Sequence, residues 1–326
     1  MTEEFWRPSA PLETLRARAE LLERIRAFFG RAGVLEVETP ACSFRGNTDP
    51  AIESLTTHYT GPDHAAGVRL CLHTSPEFPM KRLLAAGSGP IYQICRVYRN
   101  GELGLLHNPE FSLLEWYRPG FDHHRLMDEV TALVWAVAGA DLPQRRLSYA
   151  ELFSEYLGLE PHGADSPRLR ARALELKVPG AADLDLPGRD AWLDLLLTHC
   201  IEPRLPPREM TFVYDYPASQ AALARVRPDD PPLAERFELY LGGMELANGF
   251  HELTDAAEQR SRFEAELEER RARGQEAPPM DVHLLAALEA GLPDCAGVAL
   301  GLDRLLMWLT GAERIEEVLA FPFDRA

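Results

Sequence analysis

What this chain of 326 residues lacks narrows its chemistry first. Its five cysteines (Cys42, Cys71, Cys95, Cys200, Cys295) form no CxxC pair. That argues against a disulfide framework or a zinc knuckle, and for reduced thiols in a cytoplasmic protein. No apolar run is long enough to cross a bilayer, which predicts no membrane partner. The N-terminus MTEEFWRPSAPLETL lacks the basic-then-apolar order of a signal peptide. There is no internal repeat and no low-complexity tract. No Walker A run, GxGxxG, HExxH or defensible Ser-His-Asp set is present, so dinucleotide, zincin and serine-hydrolase chemistries drop out. Positive charge is scarce too: 34 basic residues stand against 51 acidic ones, a net charge of −17. Polyanion binding works through Lys and Arg displacing counterions from phosphates, so a large tRNA footprint is disfavoured.

What is present centres on Ile91 to Arg118, IYQICRVYRNGELGLLHNPEFSLLEWYR. Ile91–Arg99 and Glu110–Arg118 read as two strands. Asn100, Gly101, Gly104, Asn108 and Pro109 break the pattern between them. Side chains alternate along a strand, so Phe111, Leu113, Glu115 and Tyr117 share one face. That face suits either a hairpin exposed to solvent or the floor of a small-molecule site. Arg99 closes the first strand and points into the same region.

The remaining elements follow from periodicity. Leu12–Ala32 has helical spacing and runs through Gly33 into a short strand, Val34–Thr39. Val68–His73 reads as a strand leading into Ser75-Pro76-Glu77 and a helix from Phe78 to Ala86. Asp122–Ala138 is helical. Residues 147–207 are mixed and proline-containing. Thr211–Tyr216 is a strand. Arg236–Glu252, RFELYLGGMELANGFHE, reads as a hairpin with Gly242-Gly243 at its tip. Counting back from that tip sets Tyr240 opposite Glu245 and Glu238 opposite Ala247. Glu238 and Glu245 then lie diagonally on one face, which suits either an exposed polar hairpin face or a pair close enough to share a Mg²⁺. The same count puts Asn248 and Glu252 on the other face unless a bulge near Gly249 turns the chain. GVALGLDRLLMW, Gly297–Trp308, is a strand passing into a helix with Arg304 in its first turn.

These stretches resemble the three motifs of the class II aminoacyl-tRNA synthetases. The HNPEF run and GGMELANGF resemble the lysyl branch. The whole chain is most similar to a tRNA-independent, protein-modifying paralogue of that branch. The resemblance implies an α+β fold, the class II catalytic fold with an antiparallel sheet flanked by helices. It implies a single domain over 1–326, with a variable insertion at about 147–207 and no anticodon-binding domain. A homodimer would form through the Leu12–Pro40 region.

The implied activity is ATP-dependent formation of an aminoacyl adenylate from a lysine isomer, (R)-β-lysine. Transfer to a lysine ε-amine of elongation factor P would follow. By resemblance Arg99 and Arg304 are catalytic. ATP contacts fall to Arg99, Asn100, Gly101, His107, Asn108, Phe111, Glu245, Leu246, Gly301 and Arg304. Ser75, Pro76, Glu77, Glu115, Tyr117, Asn248, Glu252 and Ala299 line the amino-acid pocket. Within it Glu77 and Glu115 take the amine nearer the carboxylate, and Glu252 with Tyr117 takes the ε-amine. Glu238 and Glu245 hold Mg²⁺. Gly101 departs from the family, which has a Glu there; Glu102 stands one place later. Two other readings compete: a synthetase that charges tRNA or supplies an adenylate elsewhere, and a non-catalytic regulator that kept the fold.

Overall fold

The computed structural model describes residues 6–326. The chain divides into two compact units, residues 1–120 with 254–326, and residues 121–253. In the first, helix α1 (Leu12–Arg31) buries Leu21, Ile25 and Phe29, one apolar stripe at helical spacing. Phe29 stacks on Tyr92 at 4.4 Å between ring centroids and meets Trp116 edge-on at 5.4 Å. Gly33, at φ +66°, turns the chain after the helix. The expected strand over Val34–Thr39 contracts to β1 (Leu35–Glu36).

Strands β2 (Cys42–Ser43), β3 (Thr56–Tyr59) and β4 (Val68–Leu72) form a small antiparallel sheet in the order β2-β4-β3. Helix α2 (Glu77–Ala85) follows. Next come β5 (Ile91–Tyr98) and β6 (Glu110–Pro119), paired antiparallel from Ile91↔Tyr117 to Tyr98↔Glu110.

The second unit opens on α3 (His123–Ala138), capped by the Asp122 carboxylate accepting from Arg125 N and ended by Gly139 in the left-handed region. Strand β7 (Gln144–Ser148) leads into α4 (Tyr149–Leu157) through a Ser148/Glu151 capping box. Helices α5 (Ser166–Glu175) and α6 (Gly188–Leu196), then a turn of π-helix over Leu197–Ile201, fill the stretch expected to be mixed. Tyr149, Phe153, Trp192 and Leu196 pack there in one core with Val213 and Tyr216 of β8 (Met210–Pro217). The strands β9 (Val226–Arg227), β10 (Leu233–Leu241) and β11 (Met244–His251) complete the unit, in the order β11-β10-β8-β7 with β9 also on β10.

Gly242 and Gly243, at φ +64° and +76°, make the tip between β10 and β11. A Cβ on Gly243 would sit 2.6 Å from Glu202 O, so no other residue fits. Beyond the tip the register departs from simple counting. Tyr240 pairs with Glu245 as expected, but Leu239 pairs with Ala247 and Glu238 with Asn248. Leu246 is an extra residue, a β-bulge. Directly paired residues share a face, so Glu238, Tyr240, Glu245 and Asn248 all lie on one face. The expected pairing of Glu238 with Ala247, and the bulge near Gly249, are corrected to a bulge at Leu246.

The chain then re-enters the first unit as α7 (Ala256–Ala272), α8 (Val282–Gly291), β12 (Cys295–Gly301) and α9 (Leu302–Thr310). There β12 pairs antiparallel with β6, giving the order β1-β5-β6-β12.

Candidate active site

In the first unit the site is built on β6. Glu115 and Tyr117 are each only 2% exposed, which removes the reading of a solvent-facing hairpin. Burying a carboxylate without partners is costly, and Glu115 has them. Its Oε1 accepts from Tyr117 OH at 2.7 Å and its Oε2 from Ser75 Oγ at 2.6 Å. Ser75 Oγ in turn accepts from Glu77 N at 3.0 Å, which fixes the start of α2. Pro76 takes the N-cap position, where its missing N–H costs nothing.

Glu77 is already paired. Lys81, one helical turn on and buried, donates to Glu77 Oε1 at 2.5 Å. Carboxylates held close together repel unless a cation offsets them, and beside Glu77 that cation is Lys81. Lys81 was missed by sequence reading, although its i,i+4 spacing to Glu77 was the available signal. Tyr117 gives its hydroxyl hydrogen to Glu115, so it is a brace for Glu115 as well as a wall.

Ala299 pairs with Glu115, Gly297 with Tyr117 and Gly301 with Leu113. Ala299 is therefore on the Glu115 face, flanked by two glycines that leave the strand low there. Its neighbours Val298 and Leu300 are buried while Ala299 is half-buried.

Arg99 follows β5. Its guanidinium lies over the Phe111 ring at 5.1 Å from the centroid, and its Nε donates to Thr74 O at 3.4 Å. Glu102 pairs with Arg99 at 3.6 Å; in this geometry it serves Arg99. Gly101, at φ +80°, stands exposed with open space where a Cβ would be. Asn100 is exposed and donates its N–H to Glu53 O.

Arg304 occupies the first turn of α9 as expected. It donates to His107 Nε2 at 2.7 Å and to Leu106 O at 3.4 Å. Desolvation and the Arg304 charge push the His107 pKa down, so the ring is held neutral with Nε2 as acceptor. Asp303 sets the helix in place. It is buried and accepts from Arg18 of α1 at 2.5 Å and from Ser112 N of β6 at 2.7 Å. Asn108 is buried, donates to Glu110 O at 2.7 Å and accepts from Phe323 N at 3.0 Å. Its amide braces the loop at both ends.

In the second unit Glu238 anchors a network on the bulged face. Its Oε2 accepts from Tyr216 OH at 2.6 Å and Tyr240 OH at 2.5 Å, and its Oε1 from Arg236. Burial and the Glu238 charge raise both phenol pKa values, so both remain donors. Arg236 also donates to Asn248 Oδ1 at 3.2 Å and Gln220 O at 2.8 Å. Sequence reading missed Arg236, Tyr216 and Tyr240; Arg236 and Tyr240 stand two residues either side of Glu238 on its own strand.

A carboxylate offers about four acceptor sites, and three of those on Glu238 are taken. One remains on Oε1. With Glu245, half-buried on the same face, this makes an all-oxygen pair of the kind that suits Mg²⁺. Leu246, the bulge residue, is buried. Glu252, 1% exposed, follows β11 and bridges to Ala224.

The chain matches the family of class II tRNA synthetases (D, K and N) over residues 5–325. It is 51% identical to the elongation factor P–(R)-β-lysine ligases of Salmonella arizonae and Klebsiella pneumoniae. It is 52% identical to that of Edwardsiella ictaluri. Each match runs over 321 residues, 98% of this chain and 98% of the relative.

Proposed function

This chain belongs to the class II tRNA synthetases (D, K and N), within the group named elongation factor P–(R)-β-lysine ligases, and from that premise we propose that it is an ATP-dependent amino acid–protein ligase. It activates (R)-β-lysine as an adenylate and passes the acyl group to a lysine ε-amine of elongation factor P. In the first step a carboxylate oxygen attacks the α-phosphorus and pyrophosphate leaves. In the second the acceptor nitrogen attacks the acyl carbon, AMP leaves and an amide forms.

The observation that carries this reading is buried Glu115, clamped by Ser75 and Tyr117 on the strand that follows Arg99. A desolvated carboxylate on a fixed strand is a receptor for an ammonium. Arg99, stacked on Phe111, offers a planar fork for a carboxylate or an α-phosphate. Arg304, holding His107, offers a second fixed charge for ATP. Both anions then meet preorganised positive charge, and positioning with electrostatics supplies the rate. Mg²⁺ on Glu245 and the remaining site of Glu238 would neutralise charge on the phosphates. Asn248, oriented by Arg236, would hold the substrate carboxylate, and Glu252 the distal ammonium.

The net charge of −17 supports action without tRNA. Exposed Leu12 and Leu35, on α1 and edge strand β1, support dimer formation through that region. The same reading makes residues 1–326 one catalytic domain with 147–207 as its variable part, working in the cytoplasm. No helix among the described residues is long and apolar enough to cross a membrane.

The test is ATP–pyrophosphate exchange with each lysine isomer and Mg²⁺, without tRNA. Exchange driven by (R)-β-lysine, followed by intact-mass detection of one acyl group on elongation factor P, is the expected result. Folded protein that exchanges with no isomer would end the enzymatic reading.

A further inference from the structure

On the second unit, beneath α3, lies a cluster that the adenylation chemistry does not use. His123, Glu235 and His251 each bring one ligand atom within 4.8 Å of the others, and His123 and His251 are buried. Asp215 joins them, with its Oδ1 at 3.6 Å from His123 Nε2. The plain account is a pair of buried ion pairs. Glu235 Oε2 is 2.6 Å from His251 Nδ1, and Asp215 Oδ2 accepts from Arg227 at 3.0 Å.

That account leaves a remainder. His123 is 2% exposed and neither of its ring nitrogens makes a hydrogen bond. Asp215 Oδ1 is also buried without one. At 3.6 Å the two are too far apart to satisfy each other. Each such orphan carries the full desolvation cost of its group.

The backbone is shaped around this spot. Between the Ala234↔Tyr216 and Phe237↔Tyr214 pairs, Glu235 and Arg236 together stand opposite the single residue Asp215. That is a bulge, a device that re-aims a side chain. Asp215 itself sits at φ +57°, a left-handed conformation unfavourable for a residue with a Cβ. A strained residue, a bulge and a hydrogen-bond-free buried imidazole thus coincide. The groups facing the cluster include Arg227, 3.6 Å from Glu235 Oε1, the His124 ring, 4.1 Å from that of His123, and the charges of Asp122 and Arg225. Arg227 engages Glu235 through Oε1, which leaves Oε2 directed at the imidazoles.

We propose that His123, His251 and Glu235, with Asp215 as fourth ligand, bind a zinc-type divalent transition ion in a structural site. Two imidazoles disfavour Mg²⁺ and Ca²⁺, which take oxygen ligands. Zinc ligands at about 2.0–2.1 Å from the ion close to roughly 3.3 Å from each other, a small contraction of this cluster. The burial leaves no open coordination position for a substrate, so the ion cross-links rather than catalyses. It would tie α3 to β8, β10 and β11. Strand alternation puts His251 on the reverse of Asn248, and Glu252 is the next residue after it. The site thus pins the strand that carries the distal-amine carboxylate from behind.

The experiment uses the full chain in buffer with excess Mg²⁺. Wild type is treated with EDTA and dialysed, then titrated with Zn²⁺ and separately with Co²⁺. Uptake of about one Zn²⁺ per chain is expected, with the thermal midpoint rising by roughly 4 °C at a hundredfold excess over Kd. Co²⁺ should give the visible absorption of a low-coordinate nitrogen–oxygen site. His123→Gln and His251→Gln should each lose the uptake and the Co²⁺ spectrum. Absence of stoichiometric Zn²⁺ and of a Co²⁺ spectrum in wild type would overturn the site whether or not the variants fold. Retention of both signals in the folded variants would overturn this ligand set.

Discussion

Ala299 stands opposite Glu115 across β12 and β6, with a glycine two residues to either side. A methyl group at that point projects from the strand beside Glu115, the proposed receptor for an ammonium. In α-lysine the first amine is on the carbon next to the carboxylate; in β-lysine it is one carbon further on. With Glu115 as that receptor, the methyl would crowd the nearer position more than the farther one. Overpacking of this kind costs roughly 1–3 kcal/mol, about one to two decades in selectivity. Ala299→Gly is therefore expected to move the kcat/KM ratio of (R)-β-lysine to α-lysine toward α-lysine by roughly that factor. The pyrophosphate-exchange assay reads it, and an unchanged ratio in a stable variant would place isomer choice elsewhere.

Most elements that carry motifs were legible because their periodicity is strong and their ends are marked: Gly33 after α1, Asp122 before α3, Gly242-Gly243 between β10 and β11. The pairing inside that last hairpin was not. Leu246 looks like any strand residue, and only the register shows that it is the odd one out. Period-two counting then puts every residue beyond it on the wrong face, including Asn248. Lys81 and Arg236 were legible in spacing alone, since each stands one turn or one pleat from its carboxylate. His123 and His251 were not, because only tertiary packing brings them together.

Helix α7 carries a testable electrostatic feature. Glu266 packs against Thr48, whose hydroxyl donates to it at 2.5 Å, and burial raises its pKa to about 7. The folded state therefore binds this proton more tightly than the unfolded chain. The contribution is fully present below pH ~4.5 and is lost as pH rises through about 7. Glu266→Gln keeps the acceptor for Thr48 and removes the titration. The variant should match wild type near pH ~4 and exceed it near pH ~8, by at most roughly 3 kcal/mol. Urea midpoints at the two pH values measure this, and parallel profiles would contradict it.

For the whole molecule, a dimer is expected at concentrations where the enzyme works. Light scattering should give twice the chain mass, and Leu12→Glu with Leu35→Glu should lower it; a monomeric wild type would refute the assignment. Scale also bears on chemistry. An acyl adenylate reacts with any neutral amine it meets, the enzyme's own included. Only two of the 34 basic residues are lysines, Lys81 and Lys177. Lys81 is buried and ion-paired with Glu77; Lys177 is exposed. If Glu77 lines the amino-acid pocket as proposed, its ion pair with Lys81 also withholds that amine from an adenylate bound there. Exposed Lys177 is then the one lysine open to labelling by the intermediate. After prolonged turnover without acceptor, intact mass should show at most sparse acylation, confined to Lys177 or the N-terminal amine. A Lys81 adduct would show that the pair opens during the cycle.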